Sequence, residues 1–205
     1  MSRQPDNSQL VACSHSSHPH PEPGEYSSEE RTVLLRVAHD SIEAAFKNRD
    51  IPTEAPTAHL AEPRGAFTTL YLHGQLRGCV GYVFPVVSLY RTVIETARAA
   101  AFEDTRFHPV TAYEAPELEV HLSVLSLIQP IRAEEVEIGR HGLLISMSGV
   151  RGLLLPQVPA EQGWDRITFL QQTCRKAGLS LDAWQRGALL EAFTAEVFGD
   201  RDFVA

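Results

Sequence analysis

Between Leu118 and Leu125 apolar and polar residues alternate: Leu118, Val120, Leu122 and Val124 are interleaved with Glu119, His121 and Ser123. Successive side chains of an extended strand point to opposite sides, so this period of two predicts a strand with one apolar and one polar face. Such a strand needs paired neighbours and a covering layer. Residues 66–72 and 75–80 are β-prone runs separated by His73-Gly74, a two-residue hairpin signal. Residues 143–147 and 150–155 flank Ser148-Gly149 in the same way, and Pro156 and Pro159 end the ladder. Residues 189–198 read best as one last strand, with a helix as the alternative for the same apolar run.

Helical periodicity supplies the covering layer. Ser27 and Glu30 have capping-box spacing ahead of Leu35, Ala38, Ile42, Ala45 and Phe46, which predicts a helix ending near Asn48. Leu89, Val93, Ala97 and Ala100 repeat at helical spacing up to Phe102, and Ile167, Leu170 and Cys174 form a stripe on a helix over residues 165–177 that Gly178 stops. Thr111 and Glu114 suggest a short capped turn, and the proline-punctuated residues 50–65 a long connection that covers something. Hairpins interrupted by helices, without βαβ alternation, predict an α+β fold with a mainly antiparallel sheet packed with helices.

Composition narrows the function classes. Eighteen Lys and Arg against 26 Asp and Glu leave a net charge of −8, which gives no overall drive toward nucleic acid or an anionic membrane. No apolar run approaches the roughly 20 residues of a membrane-spanning helix, and the N-terminus lacks the pattern of a secretory signal. The three cysteines, Cys13, Cys79 and Cys174, are odd in number and scattered, so a cytoplasmic, reducing location is expected. The domain reading is a His/Ser/Pro-rich disordered tail over 1–27, one α+β domain over 28–199 and a C-terminal tail over 200–205. Cys13, His15, His18 and His20 imitate metal-ligand spacing but lack the turn and core residues that make a zinc site rigid, and no metal site is expected there. Arg175-Lys176 reads as the cationic last turn of its helix, and Trp164 and Trp184 as packing residues.

The segment with chemical content is Leu76-Arg77-Gly78-Cys79-Val80-Gly81, a thiol between glycines in a β-prone run. Glycine weakens a strand and marks a bulge or a close approach. In a regular strand Arg77 and Cys79 share a face, where the guanidinium favours thiolate and binds an anionic group. The alternative is a small buried side chain whose glycines let a helix pack closely. A nucleophile needs a base; His73, His108 and His121 are available, and His121 shares its strand face with Glu119 and Ser123.

This run resembles the hallmark of the AMMECR family. The similarity continues through Asp104-Thr105-Arg106-Phe107-His108-Pro109, Leu118-Glu119-Val120 and Gly139-Arg140-His141-Gly142-Leu143. Gly152-Leu153-Leu154-Leu155-Pro156-Gln157-Val158, Gly163-Trp164-Asp165, Thr173-Cys174-Arg175-Lys176-Ala177-Gly178 and Asp182-Ala183-Trp184 are similar to the prokaryotic branch called AmmeMemoRadiSam system protein A. The resemblance implies an α+β fold with a larger and a smaller lobe, and a groove near the hallmark. It also implies a pathway shared with a Memo-type protein and a radical S-adenosylmethionine protein. It supplies no established reaction and no cofactor. Two readings follow: an enzyme in which Cys79 is the nucleophile, Glu119 or His121 moves protons, and Arg77, Gly78, Gly81, Arg106 and His108 bind a small anionic ligand; or a non-catalytic ligand-binding or adaptor module built from the same groove.

Overall fold

The computed structural model describes residues 24–203, so Cys13, His15, His18 and His20 lie outside the described residues. In chain order the elements are α1 (Ser28–Phe46), β1 (Ala66–Leu72), β2 (Gln75–Tyr82), α2 (Leu89–Phe102), β3 (Leu118–Leu125), β4 (Gln129–Pro130), β5 (Gly142–Met147), β6 (Val150–Leu154), α3 (Gln157–Glu161), α4 (Arg166–Lys176), β7 (Leu189–Phe193) and β8 (Ala195–Gly199). The chain forms two compact units: one runs to Val124 and resumes at Glu196, and the other is Leu125–Ala195. Each holds its own four-stranded sheet, ordered β2-β1-β3-β8 in the first and β4-β7-β5-β6 in the second. The fold is α+β, with two sheets where the sequence predicts one.

In the first unit β1 runs antiparallel to both β2 and β3. Ala66 and Leu70 of β1 and Val120, Leu122 and Val124 of β3 pack in one core with Leu34, Ala38 and Ile42 of α1 and Val93 and Ala97 of α2. The capping box forms as its spacing predicts: the Glu30 amide donates to the Ser27 hydroxyl at 3.2 Å and the Ser27 amide to the Glu30 carboxylate at 3.1 Å. His73 and Gly74 both have positive φ, 50° and 77°, as a two-residue hairpin turn matched to strand twist requires. The connection over 50–65 does cover something: Leu60 is fully buried, and the amides of Leu89 and Tyr90 donate to the carbonyls of Glu62 and Leu60, fixing the start of α2.

Order extends past both expected tails. Tyr26, placed in the tail by sequence, is buried and stacks on His59 with ring centroids 4.7 Å apart. Residues 200–203 form a 3-10 turn, and the Asp200 carboxylate accepts from the Val120 amide at 2.7 Å and lies 2.9 Å from His39 Nε2, tying β3 to α1.

In the second unit Phe169, Leu170 and Cys174 of α4 pack on Leu143 and Ile145 of β5 and Leu190 and Ala192 of β7. Asp165 caps α4 by accepting from the Thr168 amide at 2.7 Å, and Gly178 follows its end with φ 71°. The single strand expected over 189–198 is two strands. Thr194 leaves the ladder because its amide donates to the Ser126 hydroxyl and its carbonyl accepts from the Ser126 amide, each at 2.9 Å; β7 joins one sheet and β8 the other.

Close packing of α2 on β2 depends on Gly78, where a Cβ would lie 2.1 Å from the Ala100 carbonyl oxygen of α2. Backbone on both sides leaves little room for relief. Gly78→Ala is therefore expected to lower unfolding stability by about 2 kcal/mol or more, read from the urea midpoint. Gly74→Asn, at a turn with open space around it, changes it by less than about 0.5 kcal/mol, since Asn tolerates positive φ.

Candidate functional site

The hallmark strand carries a bulge that the period of two does not anticipate. Leu70 pairs with Gly78 and Tyr71 with Leu76, so Arg77 is an extra residue on β2. Arg77 thus drops out of the alternation that would have set it beside the thiol. Its Nε and Nη2 donate to the Glu114 carboxylate at 3.0 and 3.2 Å, and its Nη1 and Nη2 to the carbonyls of His108 and Pro109 at 2.6 and 3.1 Å. Glu114 also accepts from the Thr111 amide at 2.7 Å. The Arg77 hydrogen bonds, then that of Thr111, lower the Glu114 pKa to about 2.

Cys79 uses its backbone. Its amide donates to Asp104 Oδ2 at 2.9 Å, and its carbonyl accepts from Arg106 Nη2 at 3.2 Å. Asp104 is 4% exposed and takes further hydrogen bonds from Arg106: Nε at 2.9 Å, Nη2 at 2.7 Å and the amide at 3.2 Å. Burial opposes its ionisation, but the Arg106 side chain and the two amides outweigh burial and hold its pKa below the ordinary value. Cys79 as a whole is 1% exposed, and its sulfur accepts from the Thr69 hydroxyl at 3.3 Å.

Register settles which histidine stands nearest in the sheet. Thr69 pairs with Cys79 on one side and His121 on the other, so the three share a row on one face. Two strand spacings put His121 roughly 10 Å from Cys79, beyond direct proton transfer. His121 Nε2 instead lies 2.6 Å from Glu119, whose other oxygen accepts from Arg201 Nε at 2.8 Å.

The segment after α2 forms a cleft of about 600 Å³ lined by Arg77, Arg106, Phe107, His108, Pro109 and Glu114 with Thr105 and Thr111. Arg77, Arg106 and His108 are thereby brought together in one lining. Cys79 is not in the lining, Gly78 and Gly81 are packing positions, and Glu119 and His121 form a separate pair. Each arginine is matched by one carboxylate, Glu114 or Asp104. The cleft thus presents oriented donors rather than the net positive charge expected beside the thiol. Asp104, Glu114 and Thr69 were missed as site residues. The signal for Asp104 was Asp-Thr-Arg directly after a helix, where an Asp side chain can accept from the amide two residues on.

Among the described residues one group has ligand atoms close enough for a metal ion, Glu25, His59 and Glu62, within 4.8 Å of one another. Arg64 already lies 2.9 Å from Glu25 and 2.8 Å from Glu62 and supplies their countercharge. No helix among the described residues is long and apolar enough to cross a membrane.

The structure is that of a two-unit α+β protein with a cleft lined by two arginines at the edge of its glycine-flanked cysteine strand. Residues 35–198 match the AMMECR1 family model. A protein from Methanosarcina acetivorans is 38% identical over 185 residues, covering 84% of this chain and 92% of that protein. One from Thermococcus gammatolerans is 41% identical over 179 residues, covering 80% and 87%. The crystal structure of an uncharacterized protein from Pyrococcus horikoshii is similar with a TM-score of 0.67 at 37% identity, covering 81% of this chain and 89% of that one. The chain belongs to the AMMECR1 family.

Because the folded pKa of Glu114 lies below its unfolded value, its contribution to stability is complete above pH ~4.5 and is lost as the pH falls toward 2. Glu114→Gln is expected to lower stability by about 1–2 kcal/mol at pH 7 and to flatten the decline between pH ~4.5 and ~2, measured by chemical unfolding at a series of pH values.

Proposed function

We propose that this protein is a ligand-binding module whose cleft takes a small molecule with an anionic or strongly polar head, and that the hallmark strand is its scaffold. One observation carries the reading: the Cys79 amide and carbonyl are both held by the Asp104–Arg106 turn that forms the cleft wall, while Cys79 itself is buried, 1% exposed. Arg106, 38% exposed and fixed by Asp104, offers a rigid guanidinium to the head group, with Phe107 and Pro109 as apolar wall. Held in place beforehand, these groups lose little freedom on binding. The module fits an AmmeMemoRadiSam-type pathway in the cytoplasm, presenting an intermediate to a Memo-type protein or a radical S-adenosylmethionine protein.

The enzyme reading retains one supporting feature, the Cys79, Thr69, His121 row, in which the Thr69 hydroxyl would have to relay a proton to the histidine.

Native mass spectrometry of the chain purified from its own host tests the proposal. A non-covalently bound mass is expected in the wild type, retained in Cys79→Ser and lost in Arg106→Ala. A covalent adduct on Cys79, or a ligand kept by Arg106→Ala, overturns the binding reading. In peptide-mapped alkylation, Cys79 of the folded chain is expected to react at least about 100-fold more slowly than in the unfolded chain; rapid labelling of a low-pKa thiol restores the nucleophile.

A further inference from the structure

On the surface of the second unit three of the six arginines have a local acid. Arg132 pairs with Glu135, Arg140 with Glu137 and Arg186 with Asp182, each within four residues. Arg175 and Lys176 differ: both are exposed, and neither forms an ion pair among the described residues. The C-terminal dipole of α4 explains why cations are tolerated in its last turn. It does not explain what they line. With Gln172 on the same helix face, half-buried Trp164 and Leu154 of β6, they border a depression of about 350 Å³.

We propose that this depression is a second ligand site, which takes a planar ring carrying a phosphate group, as in a mononucleotide. Two adjacent cations without counterions match a phosphate dianion, in a chain whose net charge is −8. The indole supplies a flat apolar face for a ring. The Gln172 amide both donates and accepts, as ring-edge recognition requires. The volume lies at the small end of the range for ligand sites, so one nucleoside-sized group fits and a larger cofactor does not. The site belongs wholly to the second unit and is independent of the Arg77–Arg106 cleft.

The test is an NMR titration of the uniformly ¹⁵N-labelled full chain with adenosine monophosphate. The two indole Nε1–H signals are assigned with Trp164→Phe. A saturable shift of the Trp164 signal is expected, with the Trp184 signal unmoved. Inorganic phosphate alone and adenosine alone bind at least tenfold more weakly. Arg175→Ala combined with Lys176→Ala, at exposed positions, weakens binding at least tenfold while the Trp184 signal reports an intact fold. A Trp164 signal that does not move by roughly 5 mM ligand, a concentration above any useful Kd, overturns the site, as does equal affinity in the double variant. Arg106→Ala leaves this titration unchanged, so the outcome is separate from that of the first cleft.

Discussion

The Asp104 carboxylate is the interaction on which the rest of the candidate site depends. An ionised carboxylate taken out of water is costly by several kcal/mol unless its lone pairs are satisfied. Asp104 is satisfied from both sides, by the Cys79 amide of β2 and by the Arg106 guanidinium and amide. β2 is an edge strand, and an edge presents backbone groups without a neighbouring strand. At Cys79 the amide is taken by Asp104 and the carbonyl by Arg106. An acid and a base two residues apart thus do there what another strand would do, and the edge is closed by side chains.

The bulge at Arg77 extends this closure. The extra residue lets its guanidinium gather the carbonyls of His108 and Pro109 and the Glu114 carboxylate. Arg77 and Arg106 therefore hold the segment between α2 and β3 at two points, and the cleft lies between them. Both arginines are charge-balanced by carboxylates, so the cleft offers fixed hydrogen-bond directions with little net field. Affinity from such a surface comes from geometry set before the ligand arrives, and it depends less on salt than an open cationic patch would.

What the sequence revealed was local. The Ser27–Glu30 cap, the His73-Gly74 and Ser148-Gly149 turns and the 118–125 alternation each depend on residues a few positions apart, and each formed as its pattern predicts. What stayed hidden depends on distant partners. The Arg77 bulge is invisible to a period-two reading because no residue type requires it there. The break at Thr194 needs Ser126, 68 positions earlier, and with it the separation into two sheets. The role of Asp104 needs its Cys79 partner, 25 positions away. The family resemblance pointed to a stretch of chain without revealing which of its atoms face the cleft.

The glycine-flanked cysteine can be understood as a steric and hydrogen-bonding solution. Gly78 lies against the backbone of α2, and at Gly81 a Cβ would fall 2.2 Å from the Phe67 ring, so bulk is excluded on either side of residue 79. The side chain at position 79 must be small enough to bury almost completely, and Cys is. It also faces the hydroxyl of Thr69, a buried donor, and sulfur serves as a weak acceptor for it. Alanine would fill the space but lose the acceptor; valine would keep neither the size nor the acceptor. Packing and hydrogen bonding thus supply a physical reason for a thiol at this position that is independent of any chemistry at the sulfur.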